Sequence, residues 1–372
     1  LGLTISPQGL DQRFGPAAAA LLQEVLATAV GVLVSARQTT IPILQRFSAV
    51  QILDSSTISL PAELAVVWTG CGGTNEGDGA AALKIQVALD LCQGTLQGPF
   101  LQNGRSQDRN APIQRLPLPA GALRLSDLGF FSLDVMHEIA AQGAFFLSRL
   151  QVQTAVYDTE GQRVELLALL RGQDELDLPV CIGTVHRIPV RLLAVRVAPE
   201  VANERRRNLK AEARRKGQTV SRARLDLADW TIYITNAPAG LLSLGEALIL
   251  ARARWQVELL FKLWKSGGHI DAWRSQRPWR ILCEVYAKLL AVVLQHWLVL
   301  AGIWAYPERS WVKGAETVRA YALMLASGMA GVVDLEVVLT QIVHCLSAGC
   351  RMNTRRKHPN TYQLLLGLDD VA

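Results

Sequence analysis

Closely spaced cysteine pairs are missing from this chain. Its six cysteines stand at 71, 92, 181, 283, 345 and 350, with no C-x-x-C among them. That excludes the ligand spacing of a structural zinc site and the dense framework of a small disulfide-bonded scaffold. Free thiols in a reducing compartment are expected instead. No basic segment followed by an apolar core and a small-residue cleavage site opens the sequence. An uninterrupted apolar run is also lacking. The most apolar stretch, Leu289 to Ala305, is broken by Gln295 and His296 and preceded by Lys288. A membrane span calls for about 20 nearly uninterrupted apolar residues, so this stretch reads as a buried helix and no membrane partner is expected. Internal repeats and low-complexity tracts are absent too.

What remains is a chain of 372 residues, half of them apolar. That is enough for two or three structural units with a substantial core, and too apolar for a disordered protein. The net charge of +6 is modest, but it is concentrated. Between 203 and 224 lie Arg205, Arg206, Arg207, Lys210, Arg214, Arg215, Lys216, Arg222 and Arg224 against Glu204 and Glu212. This segment is +7, leaving −1 for everything else. A second cluster, Arg351, Arg355, Arg356 and Lys357, lies near the end. Such concentration points to a polyanion, with a solvated basic helix as the plainer reading.

Hydrophobic periodicity divides the chain into five segments. Residues 1–45 form an N-terminal helical region, with a helix over 16–36 begun by Pro16. Residues 46–150 alternate strands and helices. Strands are expected over Ala49 to Asp54, Ala82 to Leu91, near Leu96 to Leu101, over Leu123 to Asp127 and over Ala144 to Leu147. Helices are expected over Ser106 to Arg115 and from Ser132 to about Ala141. Residues 151–228 read as a β-rich insertion (QVQTAVYD, RVELLALLR, PVCIGTVH, IPVRLLAVRVA) followed by the basic helix. Residues 229–310 return to a strand, Trp230 to Thr235, and a long helix from Ser243 to Ser266. Glu246, three residues after Ser243, completes a capping box, and Gly267-Gly268 stops the helix. Residues 311–372 are helical again. The fold class is therefore α/β, an α+β mixture with helical regions at both ends.

Chemistry is expected at three acids. Asp54 and Asp127 are placed at strand ends, where an open α/β sheet lines its ligand crevice. Taken singly, either is an ordinary turn or cap residue. Together, two carboxylates on neighbouring strands can share a hard, oxygen-seeking cation such as Mg²⁺. Glu258 lies on the long helix with Arg254 and Lys262 four residues to either side and Lys265 seven residues on. An ion-paired stripe explains this, but so does a phosphate-facing surface in which the carboxylate holds metal and the cations hold a nucleic-acid backbone.

The run from Arg252 to Ser266 (RARWQVELLFKLWKS) resembles the helix of bacterial insertion-sequence DDE transposases with the YREK signature. Arg254, Glu258 and Lys265 match that signature, and Ala251 stands where the family has Tyr. Ile52 to Pro61 resembles the family's first aspartate block, and Leu125 to Phe131 the second, with Phe130 in place of a Tyr. The resemblance covers roughly residues 45 to 365 in order. It implies an RNase H-like core interrupted by an all-β insertion, with Asp54, Asp127 and Glu258 holding two Mg²⁺ or Mn²⁺ ions. It further implies DNA contacts from Arg254, Lys265, Lys262 and Lys84. Trp230 resembles a base-flipping tryptophan, with a core aromatic as the competing reading. The implied partners are double-stranded DNA, at element ends and target, and a second copy of the chain on that DNA. The implied setting is the bacterial cytoplasm and its nucleoid. A catalytically decayed DNA-binding relative and a nuclease that joins nothing are the alternatives.

Overall fold

The computed structural model describes residues 5–71, 80–306, 308–353 and 361–367. Arg355, Arg356 and Lys357 of the second basic cluster lie outside them. Among the described residues ten strands run in chain order: β1 (Val50–Leu60), β2 (Ala81–Asp90), β3 (Leu96–Asn103), β4 (Leu123–Ser126) and β5 (Phe145–Arg149). They continue with β6 (Val156–Tyr157), β7 (Arg163–Val164), β8 (Glu175–Ile182), β9 (Ile188–Arg196) and β10 (Trp230–Thr235). The fold is mixed α/β, the RNase H-like class expected. The chain divides into two compact units that cut across the five sequence segments.

The first unit takes Leu1–Gln45, Gln51–Asp108 and Ala253–Ala372. Its sheet is an antiparallel meander in which β2 pairs with both β1 and β3. Asp54 stands opposite Val87 and Thr57 opposite Lys84. Side chains alternate between faces along a strand, so this register puts Asp54 and Lys84 on opposite faces. Asp54 is not at a strand end. Pairing continues through Leu60 opposite Ala81, because Thr57 and Ile58 carry the β-branched shape that suits a pleated surface across the two serines.

Helices complete this unit. The Pro278–Ile303 helix packs on the Pro16–Val30, Trp311–Ala320 and Leu335–Ala348 helices. Its length and mean hydropathy of 1.6 would suffice to cross a membrane, but half of its most apolar window is buried within this unit. The close approach of the Leu335–Ala348 helix requires Gly302, where a Cβ would come within 2.4 Å of the Leu346 Cβ. Val299, Ile303, Val318, Val338, Ile342 and Leu346 form the resulting core. One sequence expectation is corrected here: the Pro16 helix ends at Val30, capped by Gly31, rather than reaching 36. The final helical region holds the helices Trp311–Ala320, Ala322–Met329 and Leu335–Ala348. Asp334 caps the last of these through the amides of Glu336 and Val337.

The second unit takes Arg46–Val50 and Arg109–Arg252. In it β4 and β5 are parallel, joined through the Leu133–Ala141 helix, and β10 pairs antiparallel with both β5 and β9. β9 then pairs with β8, β8 with β6, and β6 with β7. The insertion is therefore continuous with the sheet. Its Val180, Ile182, Val190, Leu192 and Ala194 share one core with Val135, Met136 and Ile139 of the crossover helix and Ile232 and Ile234 of β10. The insertion is also not wholly β. Leu166–Leu170, inside the run read as a strand, is a short helix, since a short leucine-rich run carries no period that separates helix from buried strand. Likewise Ser106 to Arg115 forms two 3₁₀ turns and no α-helix.

The expected caps are present. The Ser132 hydroxyl accepts from the Val135 amide. The Ser243 amide donates to Glu246 Oε2 at 2.8 Å while the Glu246 amide returns to the Ser243 hydroxyl. Burial pushes the Glu246 carboxyl up, but its hydrogen bonds from Ser243 and its ion pair with Arg46 outweigh that and hold it below the usual range.

Candidate active site

β1 carries Asp54 and the Trp255–Ser266 helix carries Glu258, both within the first unit. The amphipathic pattern fixes how that helix lies. Val257, Leu260, Phe261 and Trp264 are buried, leaving Glu258, Lys262 and Lys265 on its more open faces. The helix expected from Ser243 to Ser266 is interrupted at Arg254, between Leu244–Ala253 and Trp255–Ser266. Arg254 keeps helical dihedrals, but its carbonyl accepts from Val257 three residues on, a tighter turn than the α-helical one.

Arg254 is the centre of the site. Its Nη2 lies 2.7 Å from Glu258 Oε1, and its Nη1 lies 3.9 Å from Asp54 Oδ2. Two carboxylates from distant parts of the chain thus meet on one guanidinium. All three side chains are partly sheltered: Asp54 is 17% exposed, Arg254 20% and Glu258 34%. Asp54 Oδ1 also accepts from the Ser55 amide at 2.8 Å. Lys265 donates to the Thr57 carbonyl at 3.2 Å, tying the far end of the Glu258 helix to the strand that bears Asp54. Nothing in the sequence marks Thr57 for that contact, because its carbonyl is a backbone group.

Asp127 belongs to the second unit. It follows β4 and stands at the N-cap of the 3₁₀ turn Leu128–Phe130. Its carboxylate makes no capping hydrogen bond, so the ordinary role of an aspartate in that position is not the one it plays. Phe130, the residue at the expected Tyr position, is buried.

Other candidates fall into two groups. Lys84 is buried at 8% exposure and donates to the Ser106 carbonyl, with Asp108 3.1 Å away. Its ammonium serves an internal ion pair on the sheet face opposite Asp54. Trp230 is a core residue at 7% exposure within the second unit's main cluster, which favours the plainer reading given for it. The basic helix Pro199–Arg215 is divided by its own fold. Arg205 donates to the Trp230 carbonyl and the Thr231 hydroxyl, both at 2.9 Å, and Arg206 pairs with Asp229 at 2.5 Å. Burial, with Arg149 nearby, draws the Arg205 guanidinium below its ordinary range. These two pin the helix against β10. Arg207, Lys210, Arg214, Arg215 and Lys216 are not held in this way, and Arg207, Lys210 and Arg214 follow the i, i+3, i+7 spacing of one helix face.

Two hard-oxygen donors around one cation suit a divalent ion by chemistry, since Mg²⁺ takes carboxylate oxygens, and the guanidinium occupies a position where positive charge is called for. Among the described residues, no three Asp, Glu, His or Cys side chains form a group that could by themselves hold a metal ion.

A mixed α/β, RNase H-like fold with paired carboxylates on a strand and a helix defines a class of acidic-site proteins. Within that class, the chain belongs to the Transposase DDE domain family, whose model matches residues 45–294 and so spans Asp54, Asp127 and Glu258. It is 27% identical to the transposase for insertion sequence element IS231B of Bacillus thuringiensis subsp. berliner, over 79% of this chain and 65% of that protein. It is 25% identical to the IS231F transposase of subsp. israelensis, over 98% of this chain and 81% of that protein. The IS1151 transposase of Clostridium perfringens is 24% identical, over 78% and 66%. The chain therefore spans just under two thirds of the IS231B relative's length.

Proposed function

We propose that this chain carries the catalytic core of an insertion-sequence transposase that cuts DNA at the element's ends and joins the freed ends to a target. The observation that carries the reading is the meeting of Asp54 and Glu258 on Arg254, in a chain whose family is defined by a transposase DDE domain. Asp127, with its carboxylate unused by the turn it precedes, is the third acid.

Asp54, Asp127 and Glu258 would hold two divalent ions, Mg²⁺ or Mn²⁺. When bound, such ions lower the pKa of an attacking water or 3′-hydroxyl and stabilise the leaving oxygen of an in-line phosphodiester displacement. The chain's own residues place and shield that chemistry. Lys265 holds the Glu258 helix against β1, which keeps the two acids in register. Lys262, exposed on that helix, and Arg254 supply cations toward phosphate. The face of Arg207, Lys210 and Arg214 offers a sequence-independent grip on the DNA backbone, expected to weaken as salt rises. A homodimer pairing two element ends, in the bacterial cytoplasm on nucleoid DNA, is the setting in which this chemistry moves an element. YREK-type function would be carried by Arg254, Glu258 and Lys265, with Ala251 contributing no hydroxyl.

The test is cleavage of duplex DNA bearing the element's terminal repeats, followed by joining to a target duplex. Mg²⁺-dependent cleavage and joining are expected. DNA binding without cleavage would identify a decayed relative, and cleavage without joining a simple nuclease.

A further inference from the structure

Arg254 does more than line the site. It lies within reach of one oxygen from each of two acids, 2.7 Å from Glu258 and 3.9 Å from Asp54. A guanidinium and a divalent ion that use the same carboxylate oxygens exclude each other. From this geometry we infer that Arg254 is a placeholder cation: it holds Asp54 and Glu258 together while metal is absent and is displaced when metal arrives. The inference rests on the reading of these acids as metal ligands.

Three physical points support it. Two carboxylates brought close without a cation repel each other, and sheltering them from water strengthens that repulsion. Arg254 offsets it at little desolvation cost, because a guanidinium is weakly hydrated and its forked N–H groups can serve two carboxylates at once. Finally, its backbone stands at the interruption between two helices, where the local hydrogen bonding already departs from the regular α-helical ladder. Displacement by metal would leave the guanidinium available to a phosphate oxygen. Metal loading and backbone grip would then be linked through one side chain.

A merely structural arginine predicts the opposite sign. If Arg254 only shaped the acids into a site, its loss would loosen them and weaken metal binding. A placeholder competes, so its loss should tighten binding. The full chain is titrated with Mn²⁺ alone, without DNA, and free Mn²⁺ is read by its paramagnetic resonance signal. For R254Q we expect affinity about fivefold tighter than wild type, the size of releasing one partly exposed ion pair. R254K keeps the charge but not the fork and should fall between the two. Circular dichroism and the Mn²⁺-induced rise in melting temperature confirm that each variant is folded and loads metal.

Equal or weaker Mn²⁺ binding by R254Q, with D54N and E258Q still abolishing it, overturns the placeholder and leaves the metal site standing. Mn²⁺ binding unaffected by D54N and E258Q overturns the assignment of these acids, and the placeholder with it.

Discussion

Two ion clusters are built on the two faces of the β1–β2 pair, and they differ in how their charges are matched. On one face Arg254 meets two carboxylates, Asp54 and Glu258, with side chains 17 to 34% exposed. On the other, Lys84 meets Asp108 and the Ser106 carbonyl, and Gln86 donates to the same Asp108 oxygen. The side chain of Lys84 is 10% exposed and that of Asp108 21%. Among the ion pairs of the described residues, the first cluster sets one guanidinium against two carboxylates. The second sets one ammonium against one carboxylate, with a carbonyl and an amide as neutral partners. An acid-rich cluster can take up another cation. A matched one holds the fold.

The largest expected effect lies in the acid-rich cluster. E258Q and D54N should each lower cleavage of element-end DNA by about 10³-fold, the rate equivalent of several kcal/mol of charge stabilisation, with little change in urea stability. The matched cluster should behave the other way. K84M removes one partner of a buried ion pair and should cost about 3 kcal/mol in urea denaturation, while leaving the salt dependence of DNA binding unchanged. A K84M protein of full stability with weakened DNA binding would reverse the assignment of the two faces.

The same contrast runs through the basic helix of the second unit. Replacing Arg207, Lys210 and Arg214 with Gln should flatten the slope of log affinity against log salt by about 0.9 for each phosphate no longer neutralised, at no more than a small cost in stability. R205Q should do the reverse, losing about 1 to 3 kcal/mol of stability by leaving buried carbonyl partners without their donor, with the slope preserved. The smallest effect concerns the Arg46–Glu246 pair, which is matched like the Lys84 pair. E246A should cost about 1 kcal/mol at neutral pH through the broken capping box. Because the Glu246 carboxyl is held below its ordinary value of 4.5, its contribution is present above that value and fades as pH falls through the depressed one. Wild type and E246A should therefore converge in stability in acid.

These contrasts also show where sequence reading succeeds. Caps are legible because their chemistry is local: Ser132, Ser243 and Glu246 need only residues three positions away. Glu258 is legible because its helix carries a spaced pattern of cations. Asp54 stands out as an acid but not at its true place in the strand, since two following serines look like a turn until pairing with β2 carries the strand on. Lys84 and Arg205 find their partners through the fold. A positive charge in sequence does not say which way its side chain faces: Lys84 meets a carbonyl and an acid, and Arg205 two carbonyls and a hydroxyl. Trp230 is ambiguous in sequence, and the fold buries it in a core. The insertion's edge is hidden too, because β8 and β9 join the sheet through β10, a pairing that no local signal encodes.

The most direct test of the three-acid account compares wild type with D54N, D127N and E258Q on duplex DNA carrying the element's ends, with and without Mg²⁺. Wild type should cut only with the metal, and each variant should still bind the DNA but fail to cut it. Mg²⁺-dependent cleavage that survives all three substitutions would contradict the account.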